Sequence, residues 1–284
     1  MKIAVCIKQV PTREWQPRLN EDKTWVREQD VSYEMNEPDA YALEESLRLR
    51  EKHGGEVVVC SAGPTRVQQV IREALARGAD RAIHVEDAAL GAADAFAAAA
   101  ALAPAMAEEK FDLVLTGLQS DDQGHAQFGP VLATRLGVPH STIIMAVEIT
   151  DASMRVKREL EGGWFQWLGM PLPALLTIQI GINQLRYATL KGIMAAKKKE
   201  IKKVSPPEAV ASRQKVLALY APEKQKQTVM IGGSPAEAAK ELVKRLREEA
   251  RAVFDPTIVP HDFDRIELPF PERGAPEHVR ASDR

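Results

Sequence analysis

The apolar run from Ile3 to Ile7, bounded by Lys2 and Lys8, has the pattern of a parallel strand covered on both faces. Similar runs recur at Val57 to Cys60, Arg81 to Val85 and Phe111 to Thr116. Between them the period switches to that of helices. Pro38 suits a first helical turn, Ala42, Leu43, Leu47 and Leu49 form an apolar stripe, and Gly54–Gly55 stops it. The SAGP segment (Ser61 to Pro64) is expected to turn into a helix ending at Gly78, and Ala92 to Glu109 forms the next. A last helix begins near His125 and ends near Gly137. Residues Pro11 to Glu34 keep no period; Trp15, Trp25 and Val26 are scattered among charges, which suggests an excursion or hairpin. Strand and helix thus alternate four times at crossover spacing. That pattern predicts a doubly wound, mainly parallel α/β sheet of Rossmann-like type, with ligands at the carboxyl edge.

After Gly137 the pattern changes. Ser141 to Thr150, Met154 to Leu160 and Trp164 to Leu168 alternate or run apolar, with Asp151 and Glu161–Gly162–Gly163 as turns. They read as an antiparallel meander closed by the apolar strand Ala174 to Ile180. From Gly181, the apolar residues Leu185, Tyr187, Leu190, Ile193 and Met194 precede or intersperse six lysines that fall between Lys191 and Lys203. This is either a solvated basic helix end or an apolar patch rimmed by cations, built to dock on an acidic partner. Pro206–Pro207 marks a linker. Ser234, Pro235 and Glu237 make a capping box for an amphipathic helix whose apolar residues Ala238, Ala239, Leu242, Val243 and Leu246 need a partner surface. The Pro-rich, charged tail after Arg251 reads as an arm. Two domains are expected: residues 1–204, with the sheet, meander and docking loop, and 205–284, with linker, helix and arm.

Candidate chemistry concentrates between Phe111 and Gly129, FDLVLTGLQSDDQGHAQFG. A strand breaks at Gly117, a polar loop crosses Asp121, Asp122 and Gly124, and a helix follows, an order suited to binding an anion at a helix start. Neither a P-loop lysine signature nor G-x-G-x-x-G is present, so the segment alone also fits an ordinary βα turn. The balance shifts because three other turns, after Cys6, at Asn36 to Asp39 and at Ser61 to Pro64, converge on the same edge. Together they could enclose one adenine-sized cleft. Net charge −2 and pI near 6.3 give no electrostatic case for nucleic acid or an anionic membrane. No apolar stretch reaches the ~20 residues that span a bilayer, and the start MKIAVCIKQVP is too short in its apolar part for a secretory signal, so a cytoplasmic location is expected. Cys6 and Cys60 read as buried thiols. The six histidines show no metal spacing. Asp121–Asp122 could bind Mg²⁺, but such a pair more often caps backbone or a ribose. No nucleophile elbow or acid–base pair is apparent, which points to a chain that holds a cofactor and a partner and is not itself an enzyme.

The segment VKRELEGGWFQWLGMPLPALLT (Val156 to Thr177) resembles the signature of the electron transfer flavoprotein β-subunit family, with Arg158, Glu161–Gly162–Gly163, Gln166, Leu168, Pro173, Leu175–Leu176 and Thr177 at that family's intervals. IAVCIKQVP, MNEPDAYALEESLRLREK, SAGP, GLQSDDQG and NQLRYATLKGIMAAKKK are similar as well, so the resemblance covers roughly residues 1 to 250. It implies an αβ heterodimer that holds FAD mostly in the α subunit and AMP in the β subunit. It also implies electron transport from acyl-CoA dehydrogenase-type donors of fatty acid β-oxidation to a membrane quinone oxidoreductase. Mapped residue by residue, the nucleotide site comprises Cys6, Asn36, Glu37, Pro38, Asp39, Ala62, Gly117, Leu118, Gln119, Ser120, Asp121, Asp122, Gln123, Gly124, His125, Ala126, Gln127 and Phe128. The docking loop comprises Tyr187, Leu190 (its apolar anchor), Ile193 and Met194. Where the family continues with a third acid and Asn-Gln-Thr, this chain has Gln123 to Phe128. The threonine hydroxyl that would help hold phosphate is therefore absent. The run Ala126–Gln127–Phe128–Gly129–Pro130 is similar to electron-bifurcating members, which carry a second FAD in place of AMP. A stand-alone adenine-nucleotide sensor on the same fold leaves the meander, the lysine-rimmed loop and the C-terminal helix unexplained. An ATP-pyrophosphatase relative would need a Ser-Gly-Gly-x-Asp-Ser loop after the first strand, which is missing.

Overall fold

The computed structural model describes residues 1–253 other than 15, 17, 28, 30, 151–152, 207–210 and 221–227, together with 265–267 and 277–279. Trp15, the Asp151 turn, Pro207 and most of the arm lie outside the described residues. Two compact units result, Met1–Tyr220 and Ala221–Arg284.

In the first unit the chain runs β1 (Lys2–Cys6), β2 (Gln9–Pro11), β3 (Tyr33–Met35), α1 (Glu37–His53), β4 (Glu56–Gly63), α2 (Gln68–Arg77), β5 (Arg81–Glu86), α3 (Ala95–Ala107), β6 (Leu113–Gly117) and α4 (Phe128–Leu136). It continues through β7 (His140–Thr150), β8 (Ser153–Glu159), β9 (Phe165–Met170), β10 (Ala174–Ile178), α5 (Leu190–Ala196) and β11 (Ile201–Val204). Nine of these strands form one sheet in the order β11-β5-β4-β1-β6-β10-β7-β8-β9. Pairing is parallel from β11 to β7 and antiparallel for β7–β8 and β8–β9.

The alternation of side chains in β1 sorts the two cores. Ile3 and Val5 pack with Leu43 and Leu47 of α1 and Ile71 and Leu75 of α2, while Ala4 and Cys6 pack with Leu102 and Met106 of α3 and Leu132 of α4. Helices therefore cover both faces, and the sheet is doubly wound as the pattern predicts. Cys6 and Cys60 sit side by side in register across β1 and β4, both free and buried. Burial pushes the Cys60 thiol up to about 12, as expected of an inert core thiol.

Several boundaries differ from the sequence reading. Ala174–Ile178 does not close the meander; β10 lies between β6 and β7 and is parallel to both. Its residues are buried throughout, as a central strand requires, so its apolar run belongs with Ile3 to Ile7 and not with the alternating meander. The meander is instead the outer flank of the same sheet. The SAGP segment is strand as far as Gly63, because Ser61 stays in the ladder and its Oγ donates to Ile7 O (2.7 Å). One 3₁₀ turn, Thr65–Val67, then leads to α2. The helix expected near His125 begins at Phe128. The unpatterned stretch after Pro11 is an excursion: β2 pairs antiparallel with β3, and Leu19 bridges Val26. The edge strand β11, IKKV, carries too little apolar pattern to be predicted from sequence.

In the second unit, α6 (Pro235–Val253) carries the predicted capping box: Ser234 N and Oγ each donate to Glu237 Oε2 at 2.8 Å. Leu242, Val243 and Leu246 on this helix remain exposed. Two short strands, β12 (Arg265–Glu267) and β13 (Glu277–Val279), pair antiparallel in the tail.

Candidate functional site

At the carboxyl edge of the sheet, the first turn of α1 fastens two strand ends together. Asn36 N donates to Lys8 O (2.9 Å) and Asn36 Nδ2 to Gln119 O (2.9 Å), while its Oδ1 accepts from Asp121 N (2.9 Å). One helical turn on, Asp39 Oδ2 accepts from Lys8 N (2.8 Å) and Oδ1 from Gly117 N (2.9 Å). The residues following β1 and β6 are thus held by two side chains of one helix start. Gly117 is required by this approach: a Cβ there would lie 2.4 Å from Asp39 Oδ1 and 2.7 Å from Pro38 Cβ. Burial pushes the Asp39 carboxyl up to about 7, against the pull of the Lys8 and Gly117 N–H groups.

The loop after β6 is shaped by its own bonds. Gly124 N donates to Ser120 O (2.8 Å), and Gly124 and Ala126 take left-handed conformations, φ 64° and 53°. Lys8 Nζ reaches Asp122 Oδ1 (2.7 Å) and Gln123 Oε1 (3.2 Å). Asp121 accepts from Glu37 N (3.3 Å) and lies 3.5 Å from Arg13, which also pairs with Glu37. Both loop acids are therefore committed to the chain, in keeping with the capping reading. Among the described residues no group of three or more His, Cys, Asp or Glu is placed to hold a metal.

These elements surround a cleft. Of the residues singled out by sequence, Cys6, Asn36, Asp39, Ala62, Gly117, Leu118, Gln119, Ser120, Gln123, His125, Ala126, Gln127 and Phe128 line it. Glu37, Pro38, Asp121, Asp122 and Gly124 are not part of that lining. The cleft also has a wall that sequence reasoning missed, formed by Leu90, Gly91, residues 93–95, Ala98 and Leu102. The available signal was Asp94, an N-cap following the third strand: its Oδ1 accepts from Ala97 N at 2.7 Å. Across the cleft, Gln127 stands at the N-cap position of α4 and makes no side-chain cap, which leaves the N–H groups of Phe128 and Gly129 (Pro130 has none) and the helix dipole available to an anion. The residues present fit an adenine nucleotide: an apolar floor, small side chains and main-chain donors at a helix start.

Residues 187–194 lie elsewhere on the same unit. Thr189 caps α5 through Gly192 N (3.1 Å), and Tyr187, Leu190 and Met194 are 90%, 82% and 70% exposed, with Ile193 beside them at 45%. The base is rigid. Arg186 bonds Glu44 (2.8 Å) and Glu51 (2.5 Å) of α1, Arg72 donates to Ala196 O and Lys199 O, and Lys199 Nζ donates to Leu75 O (3.1 Å) and to Ala79 O at the end of α2. The exposed apolar side chains of Tyr187, Leu190 and Met194 thus stand on a hydrogen-bonded base. Of the lysines counted from sequence, Lys199 serves α2 and Lys203 pairs with Glu86 (2.8 Å), while Lys191, Lys197 and Lys198 are exposed.

Fold and cleft together define a doubly wound α/β protein with a cleft where four strand ends meet the start of α1. Residues 23–209 match the model of the electron transfer flavoprotein domain. The electron transfer flavoprotein subunit beta of Methylophilus methylotrophus is 38% identical over 261 residues, covering 87% of this chain and 98% of that protein. Its human counterpart is 35% identical over 254 residues (88% and 98%), and that of Bacillus subtilis 34% over 236 (80% and 91%). The chain belongs to the electron transfer flavoprotein β-subunit family.

Proposed function

We propose that this chain is the β subunit of a heterodimeric electron transfer flavoprotein and that its cleft binds AMP. The companion α subunit holds most of the FAD, and residues 221–284 pack on that subunit. The observation that carries the reading is the cleft: Asn36 and Asp39 draw two strand ends together beside an uncapped helix start. With no threonine in the loop, the phosphate would rest on main-chain N–H groups at the start of α4. FAD, when bound, supplies the redox chemistry. This chain's residues bind and orient, and they contribute no nucleophile or proton relay.

The exposed Tyr187–Leu190–Met194 patch is the docking point for dehydrogenases of acyl-CoA type, and a membrane quinone oxidoreductase takes the electrons onward in the cytoplasm. Weak, partly electrostatic docking suits a shuttle, which has to release each partner. Among the described residues no helix is long and apolar enough to cross a membrane, so the acceptor would be met at its surface. The test is co-expression with an α subunit encoded beside it. A yellow heterodimer whose flavin bleaches when an acyl-CoA dehydrogenase and its substrate are added is the expected result. A colourless chain that purifies alone and binds adenine nucleotide would instead identify a sensor.

A further inference from the structure

Residues 211–219 form no helix or strand and are mostly exposed. They are nevertheless fastened to the rest of the first unit. Asp94 Oδ2 accepts from Arg213 N (2.5 Å) and Gln214 N (2.8 Å), and Asp94 N donates to Ser212 Oγ (3.3 Å). The Arg213 guanidinium lies 5.0 Å from the Phe96 ring, and Leu219 N donates to Lys23 O (2.7 Å). Asp94 is 6% exposed, caps α3 with its other oxygen and lines the nucleotide cleft. One buried carboxylate thus touches three things: a helix start, the wall of the cleft, and the strap that continues into residues 221–284. Burial works against its charge, but the N–H groups of Ala97, Gln214, Arg213 and Phe96 outweigh that and hold the carboxyl below its ordinary range.

We infer that Asp94 is a latch through which nucleotide in the cleft tightens the 211–219 strap. The inference rests on the nucleotide reading above. A ligand seated against residues 93–95 and Ala98 excludes water from the rim of Asp94 and fixes the turn that aims it. In that drier setting the hydrogen bonds to the strap strengthen. The coupling is reciprocal, so a docked strap raises nucleotide affinity by the factor that nucleotide raises strap protection.

Hydrogen–deuterium exchange on the full-length protein, nucleotide-free and saturated with AMP or with FAD, tests this. Slower exchange in residues 117–128 reports occupancy of the cleft. The latch predicts that 211–214 slows with it, by about tenfold or more at saturation. Asp94→Asn keeps one oxygen for the α3 cap and turns an amide donor toward the strap. At saturating ligand it should abolish the ligand-induced protection of 211–214. Arg213→Pro removes a strap donor without altering the cleft, and it should weaken AMP binding severalfold. Protection of 117–128 with no change in 211–214 would overturn the latch and leave the nucleotide reading standing. No protection of 117–128 by either nucleotide would overturn both.

Discussion

Asp39 accepts backbone N–H groups from the ends of two different strands, and an amide could satisfy only one of them. In Asp39→Asn either Lys8 N or Gly117 N faces an NH₂ group, so the variant should lose about 1–3 kcal/mol, read as a lower urea midpoint. An unchanged midpoint would mean the bonds contribute nothing. Titration adds a sign. With its carboxyl raised by burial from 3.8 to about 7, Asp39 contributes stability that is full below pH 3.8 and lost as pH rises through about 7. Glu109 works the other way. Hydrogen bonds from Arg81 (2.7 Å) and Lys2 (2.6 Å) draw it from 4.5 to about 2, so its stabilisation is present above pH 4.5 and lost as pH falls through about 2. The stability gap between wild type and Glu109→Gln should close over that interval, and a gap constant from pH 5 to 2 would contradict the assignment. Sequence marked Asn36 and Asp39 as a helix start. It could not show that Asp39 would be buried and shared by two strands, because that depends on partners 31 and 78 residues away.

At the scale of elements, apolar periodicity identified the central strands and the helices between them, since each buries a continuous face. It failed where pattern and position part company. β10 is too short for its run to reveal whether it pairs in parallel, and β11, IKKV, is a half-polar edge with little apolar signal. The uniform alanines of α3 concealed the cleft wall, because no stripe marks which face is turned to the cleft. The proposed docking segment offers two tests. A Cβ on Gly192 would come within 2.3 Å of Ala76 O, so Gly192→Ala should push α5 off α2 and make residues 190–196 more susceptible to limited proteolysis; an unaltered digestion pattern would show that α5 has room to spare. Leu190, the proposed anchor, is largely exposed and supports no core, so Leu190→Ala should slow flavin reduction by the dehydrogenase and leave stability and FAD content unchanged. Loss of flavin from that variant would assign Leu190 to packing.

For the whole molecule, the two units differ in how much of their apolar surface is used. The first has a core on each face of its sheet, whereas α6 in the second exposes Leu242, Val243 and Leu246. In the proposed heterodimer the α subunit covers that stripe, and Leu246→Asp should reduce the yield of complex on co-purification; an undiminished yield would place the stripe outside the interface. The family was legible at this scale because its motifs lie along the chain from Ile3 to Lys199 and do not depend on one loop. The proposed occupant of the cleft between β1, α1 and the loop after β6 is an adenine nucleotide. That proposal is tested most directly by denaturing the purified heterodimer and identifying what it releases. One AMP and one FAD per complex is the predicted result; two FAD and no AMP would place a flavin in the cleft and make this a bifurcating member, and release of FAD alone, one per complex, would contradict the account.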